Sequence, residues 1–219
     1  MKKIFYLLLI VTLSVVFTSC DQLFGSKEGP NDLGGNTNVD YAQPGSTFTG
    51  SIKIGDNYLD VINNMAVTKN DNGIATIHIN AKTKDITQLQ PYLSLLPPSA
   101  FDDSGNISAD FKLKITTDGI QDYFNKDGKA HTIVKYNSNV GDKYQLTKSD
   151  GTTITRTVTG KDTSDVFPWG LYLIKTITVE QDSRIPGISK IIMKANHKFG
   201  LVFISFVMDD NSIVSSVIL

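Results

Sequence analysis

One cysteine, three histidines and a single tryptophan in 219 residues set the first limits on this chain. A lone thiol excludes an internal disulfide, a CxxC redox pair and a thiolate metal cage. His78, His131 and His197 stand far apart and follow neither HxH nor HExxH spacing, so no metal and no cofactor are expected. The chain also lacks a GxSxG elbow, an SxxK pair, a P-loop and a GxGxxG turn, and no catalytic residue is assigned. Glutamate is scarce. Beyond residue 46 the sole example is Glu180, which with Asp182 reads as a solvated strand end beside Arg184 rather than as the facing carboxylates of a glycosidase. Basic excess is missing too: with 21 Lys and Arg against 22 Asp and Glu, no basic patch emerges and nucleic acid is not expected as a partner.

What the chain does have begins with Lys2-Lys3, a mostly apolar run from Ile4 to Phe17, and Thr18-Ser19-Cys20. The run is too short to cross ~30 Å of hydrocarbon as a helix, so it reads as a secretory signal over residues 1–19. Cys20 after small residues, with polar sequence starting at Asp21, resembles the lipobox of bacterial lipoproteins, although Phe17 stands where that family has an aliphatic residue. The resemblance implies a diacylglyceryl thioether on Cys20, cleavage before it, and acylation of the new amino terminus. At ~0.8 kcal/mol per buried CH2, such chains hold a protein on a bilayer without a transmembrane helix. The expected address is therefore the cell envelope, at the outer membrane. Asp21 alone, in place of an acidic run, leaves periplasmic and surface display both open.

Residues 20–46 shift to Gly, Asn, Asp, Ser and Pro, with Gly29-Pro30, Gly34-Gly35 and Pro44-Gly45. Such a stretch buries too little to offset its ordering entropy and reads as a tether, reaching roughly 25–30 Å. Residues 47–219 then form one domain. Asn72-Gly73, Asp127-Gly128, Asp150-Gly151 and Asp210-Asn211 are turn signals between β-branched and aromatic runs. Strands are expected at 47–54, 74–81, 110–116, 131–136, 143–148, 152–159, 171–181, 189–194, 201–208 and 212–219. Phe111 to Ile115 alternates as a sheet with one wet face requires, whereas Leu201-Val202-Phe203-Ile204 is apolar at both parities and is expected to be covered on both faces. Short helices are expected near 89–96, opened by an Asp85/Gln88 capping box, and at 58–66. The fold class is mainly β: a curved antiparallel sheet or half-barrel with one or two short helices, with α+β as the alternative.

Asp118 to Phe124, Val134-Lys135-Tyr136, Val140 to Tyr144, Ile185-Pro186-Gly187 and Asn196 to Val202 together resemble uncharacterised lipoproteins of the Bacteroidetes. The order of strands from Val140 onward is also similar to exported half-barrel proteins in which a curved sheet wraps a helix, some of them acyl carriers. Neither resemblance transfers a site residue.

Two segments invite a binding role. Asp102-Asp103-Ser104-Gly105-Asn106 is rich in oxygen but lacks the EF-hand glycine and glutamate, and reads as a plain turn. Phe167, Trp169 and Tyr172, in a Pro/Gly loop, are the candidate ligand-binding residues, either as a platform for a sugar or apolar ligand or as a cap on the protein's own core. The expectation is a non-catalytic, lipid-anchored module that binds an apolar ligand, a glycan or an envelope protein. A structural role in envelope assembly and a carboxylate hydrolase assembled by folding are the alternatives.

Overall fold

Turn chemistry decides where this chain reverses. Asn72 and Gly73 both hold positive φ (50° and 86°), which a tight hairpin with right-handed strand twist demands, and Asn211 (66°) and Gly151 (79°) serve two further reversals. The computed structural model describes residue 29 and residues 31–219, apart from 60, 62, 95 and 184. The signal, Cys20, the start of the expected tether and Arg184 lie outside the described residues.

The strands form two antiparallel sheets and a ribbon. The first sheet runs, in spatial order, β1 (Thr47–Phe48), β4 (Asn63–Asp71), β5 (Ile74–Ala81), β6 (Ile107–Thr116), β7 (Gly119–Asp122) and β8 (His131–Lys135). The second runs β3 (Asn57–Leu59), β2 (Gly50–Ile54), β16 (Ile213–Ile218), β15 (Gly200–Met208), β14 (Ile188–Asn196), β13 (Ile177–Asp182), β10 (Thr153–Lys161) and β9 (Lys143–Thr147). A ribbon of β11 (Phe167–Trp169) and β12 (Tyr172–Ile174) is inserted between β10 and β13. Each sheet is mostly a meander, as hairpin connections favour. The exception is the start, where one expected strand, 47–54, is divided between sheets. Thr49 makes the crossing, exchanging both backbone hydrogen bonds with Leu219 (2.9 and 2.8 Å).

The two sheets face one another. Val67, Ala75, Leu113, Ile115, Ile120 and Val134 of the first meet Tyr144, Val158, Val179, Met193 and Ala195 of the second in one buried cluster. The mainly β, antiparallel expectation holds, with the inner face of each sheet covered by the other sheet rather than by a wrapped helix. The helix near residue 89 is a single turn, α1 (Gln90–Leu93), entered through a 3-10 turn at Thr87–Leu89. Pro91 and the Pro97-Pro98 pair limit its length. It buries Leu89 and Leu93 outside the inter-sheet cluster. The Asp85/Gln88 box is unused: the N-cap is Ile86, without a side-chain bond. The expected helix at 58–66 is instead the end of β3 and the start of β4, where Met65 pairs with both Phe48 and Ile79. Asparagines at 63 and 64 are poor helix formers, and two flanking strands satisfy the backbone better. The expected strand 171–181 is broken at Thr176, whose N–H and hydroxyl are both drawn to the Asp162 carboxylate (3.0 and 2.8 Å).

Residues 31–46 depart most from expectation. Where a free tether is expected, they form a strap across one end of the sandwich. Its polar composition is answered by backbone bonds, not by burial alone: Asn36 and Thr117 exchange contacts at 2.9 Å, and Val67 holds both Gly45 and Ser46 at 2.9 Å. Ala42 is fully buried, and Tyr41 lies so close to Gly200 (φ 76°) that a Cβ there would sit 2.8 Å from its ring.

Gly119 marks the tightest approach of the first sheet, because a Cβ there would collide with the Val134 carbonyl oxygen on β8. Gly119→Ala is expected to cost about 1–3 kcal/mol through forced separation of β7 and β8. Urea denaturation measures it; an unchanged midpoint contradicts the tight packing.

Candidate functional site

The ribbon folds back on the second sheet and brings two of the three expected binding aromatics with it. Trp169 stacks on Phe199 (centroids 4.1 Å, 24° between planes) and donates its Nε1–H to the Ile218 carbonyl at 2.6 Å. Phe167 meets Phe203 edge-on at 5.9 Å, with the Lys194 ammonium 5.4 Å from its ring centre. These contacts cover the second face of the Leu201 to Ile204 run. Tyr172, the register partner of Trp169, is 69 % exposed, and its neighbours Leu171 and Leu173 are 98 % and 59 % exposed. Trp169 and Phe167 thus spend their faces on the protein itself, and Tyr172 stands at a bare apolar tip.

The other candidates disperse. His78 on β5 pairs with Asp110 (Nδ1 to Oδ1, 2.8 Å), His131 is buried on β8, and His197 lies edge-on to Tyr136 at the β14–β15 turn. No group of metal-ligating side chains forms among the described residues. Glu180 is engaged by Lys190 at 2.7 Å. In the 102–106 loop, Asp102 Oδ1 accepts from the N–H groups of Ser104 and Asn106, both at 2.9 Å, and so closes its own turn. The two best-formed concavities among the described residues, about 300 and 360 Å3, are open and lined mainly by polar groups such as Asn137 and Asp142, or Asn38 and Asn70. Neither includes Trp169.

The most organised polar site lies where β8, an edge of the first sheet, runs beside β9, an edge of the second. Arg156 on β10 is 5 % exposed and joins both sheets: Nη2 donates to Asp122 on β7 at 2.6 Å, Nη1 to the carbonyls of His131 and Thr132 on β8 at 3.1 and 3.2 Å, and Nε to Gln181 on β13 at 2.8 Å. Burial pulls the guanidinium below its ordinary pKa, against the pull of Asp122, and it stays charged. His131 Nε2–H donates to the Tyr144 carbonyl on β9 at 3.1 Å, which fixes the neutral tautomer. Burial, and then the Arg156 charge, push its pKa down to about 4. The strap supplies the last stitch. Asn31 donates to the Gln145 carbonyl at 2.6 Å, accepts from the Thr132 N–H at 3.0 Å, and accepts Gln121 Nε2–H on its own carbonyl.

Arg156, Asp122, His131, Gln121 and Thr132 are buried and each has a protein partner, which suits the seam to holding sheets together rather than to acid-base work on a substrate. Sequence inspection missed it, yet a signal existed. Arg156 shares the parity of Ile154 and Val158 on an alternating strand, and a charge at a core register requires a buried counter-charge.

No family model and no curated protein matches this chain. Among solved structures it is similar to a Bacteroides fragilis protein described as exported, with a YmcC-like fold: 10% identity, 80% of this chain and 94% of that one covered, TM-score 0.45.

Asp122→Ala leaves the Arg156 charge buried and unpaired, and is expected to cost about 3–5 kcal/mol. Adding Arg156→Met is expected to recover most of that loss in urea denaturation; a single variant within 1 kcal/mol of wild type, by the ~1 kcal/mol scale of a surface pair, contradicts a buried bridge. For His131 the folded pKa lies below the unfolded value, so the unfolded chain binds the proton first. Its contribution, on the order of 3 kcal/mol, is present above about pH 6.5 and lost as pH falls towards 4. His131→Gln should flatten stability across that window.

Proposed function

We propose that the protein is an exported, acyl-anchored module of the cell envelope that binds a macromolecular partner, an envelope protein or a glycan, on its surface and performs no chemistry. One observation carries this reading over the acyl-carrier alternative: the space between the sheets is filled by interleaved side chains of both, from Val67 and Ile120 to Val158 and Met193. The two best-formed concavities among the described residues are open and polar-lined, whereas ligand pockets are characteristically concave and apolar. The anchor rests on Ser19-Cys20 after the apolar leader.

Strand addition at a sheet edge is a poor route to the partner. The outer edges are only two and three residues long, β1 and β3, and the long edges, β8 and β9, are tied by Arg156, His131 and Asn31. Recognition then falls to the turns.

Mass analysis of the amino-terminal peptide of the native protein is expected to find Cys20 acylated and first in the chain, and crosslinking in intact envelopes to return one stoichiometric partner. A leader still attached, or a free thiol at Cys20, contradicts the anchor. A free fatty acid that shifts Trp169 emission and raises the melting temperature contradicts the surface-partner reading in favour of a small apolar ligand.

A further inference from the structure

The strap changes where the domain must sit if Cys20 is acylated, and this inference rests on that reading. Gly29 lies beside Lys135, Ser138 and Asp142, at the end of the sandwich where β8 gives way to β9. Cys20 and Gly29 are nine residues apart in sequence, so at most about 30 Å of chain separates the anchor from the domain. Under that reading, Gly29 and the end of the sandwich beside it stay within about 30 Å of the bilayer.

The ribbon tip lies on the same end. Ser138 accepts from Lys161 (2.7 Å) at the close of β10, and Asp162 binds Thr176 just after β12. Tyr136 meets His197, two residues before the Phe199 on which Trp169 stacks. Gly29 is by the β9 edge and the tip is over β16, five strands away in the second sheet, or roughly 25 Å. The two thus mark opposite sides of one end. At the tip Leu171, Tyr172 and Leu173 are consecutive and exposed, and Val140 is exposed near Gly29. Leucines flanking a tyrosine, above a half-buried tryptophan, suit the boundary of headgroups and acyl chains. Exposed Lys143, Lys175 and Lys198 are offset by Asp118, Asp142 and Asp165, so the attraction is apolar rather than ionic.

We infer that the β11–β12 tip is a second membrane contact, dipping Leu171, Tyr172 and Leu173 into the lipid surface and, with the acyl anchor, fixing the orientation of the domain. The occupant is a phospholipid bilayer, which the short span from Cys20 to Gly29 keeps within reach: the acyl chains supply attachment and the tip supplies orientation.

Native acylated protein in phosphatidylcholine vesicles containing an acyl-brominated lipid tests this, with Trp169, the only tryptophan, as reporter. Its emission is expected to be quenched, and the quenching lost in the combined variant Leu171→Ser, Tyr172→Ser, Leu173→Ser. Leu171→Trp, at a position with no packing to disturb, should be quenched more strongly than Trp169 alone. Protein that floats with vesicles but shows no quenching at either position overturns the inference and leaves the anchor intact. A dimer that the serine variant converts to monomer assigns the tip to a second copy and also overturns it. Native protein with no acyl group overturns the anchor and this inference together.

Discussion

One buried guanidinium sets how the two sheets of this protein meet at their shared edge. A two-sheet sandwich has edges, and edge backbone groups must find partners or water. Between β8 and β9 the sheets approach without a backbone ladder, and Arg156 reaches from the second sheet to carbonyls on the first. Its charge is tolerable there because Asp122 lies opposite, and Gln181 takes the remaining face. Burial of such a pair adds little net stability compared with a well-packed apolar substitute. Its geometry does something an apolar contact does not: four directional bonds to three strands set the angle and register at which the sheets meet. Around it, His131 and Tyr144 add two more cross-seam contacts, since the Tyr144 hydroxyl accepts from the Lys135 N–H at 3.1 Å.

The amino-terminal strap belongs to this seam. Asn31 occupies the place of a missing strand, giving a donor to β9 and acceptors to β7 and β8. From there the chain crosses the end of the sandwich, burying Leu33 and Ala42, before it enters β1. Such an arrangement couples folding to the linker. A segment that composition assigns to a free leash becomes part of the domain.

Much of the fold was legible before any coordinate. Hairpin dipeptides at 72, 150 and 210, the clean alternation of Phe111 to Ile115 and the doubly apolar Leu201 to Ile204 each report a local constraint, and each corresponds to what the structure has there. Failures arose where tertiary pairing outweighed local pattern. Helical spacing over 58–66 lost to strand pairing on both sides of Met65, and β7, four residues with Gln121 and Asp122 among them, gives no apolar signal although all four are buried. The strap was missed because composition measures how much a segment can bury and is blind to backbone groups offered by a neighbouring edge. At the ribbon, Trp169 was conspicuous by type, but its partners Phe199 and Ile218 come from elements that only the sheet order brings near.

Side chains, standing in for a ladder, close the seam. Hydrogen exchange at the Thr132 amide tests it most directly, since that N–H points away from β7 and is held by Asn31 alone. Exchange there is expected to be as slow as at Ile120 and Val158 in the fully buried core, governed by global unfolding. Exchange at the rate of an open edge strand would contradict it, and the seam would then be an unclosed edge beside the shared apolar core.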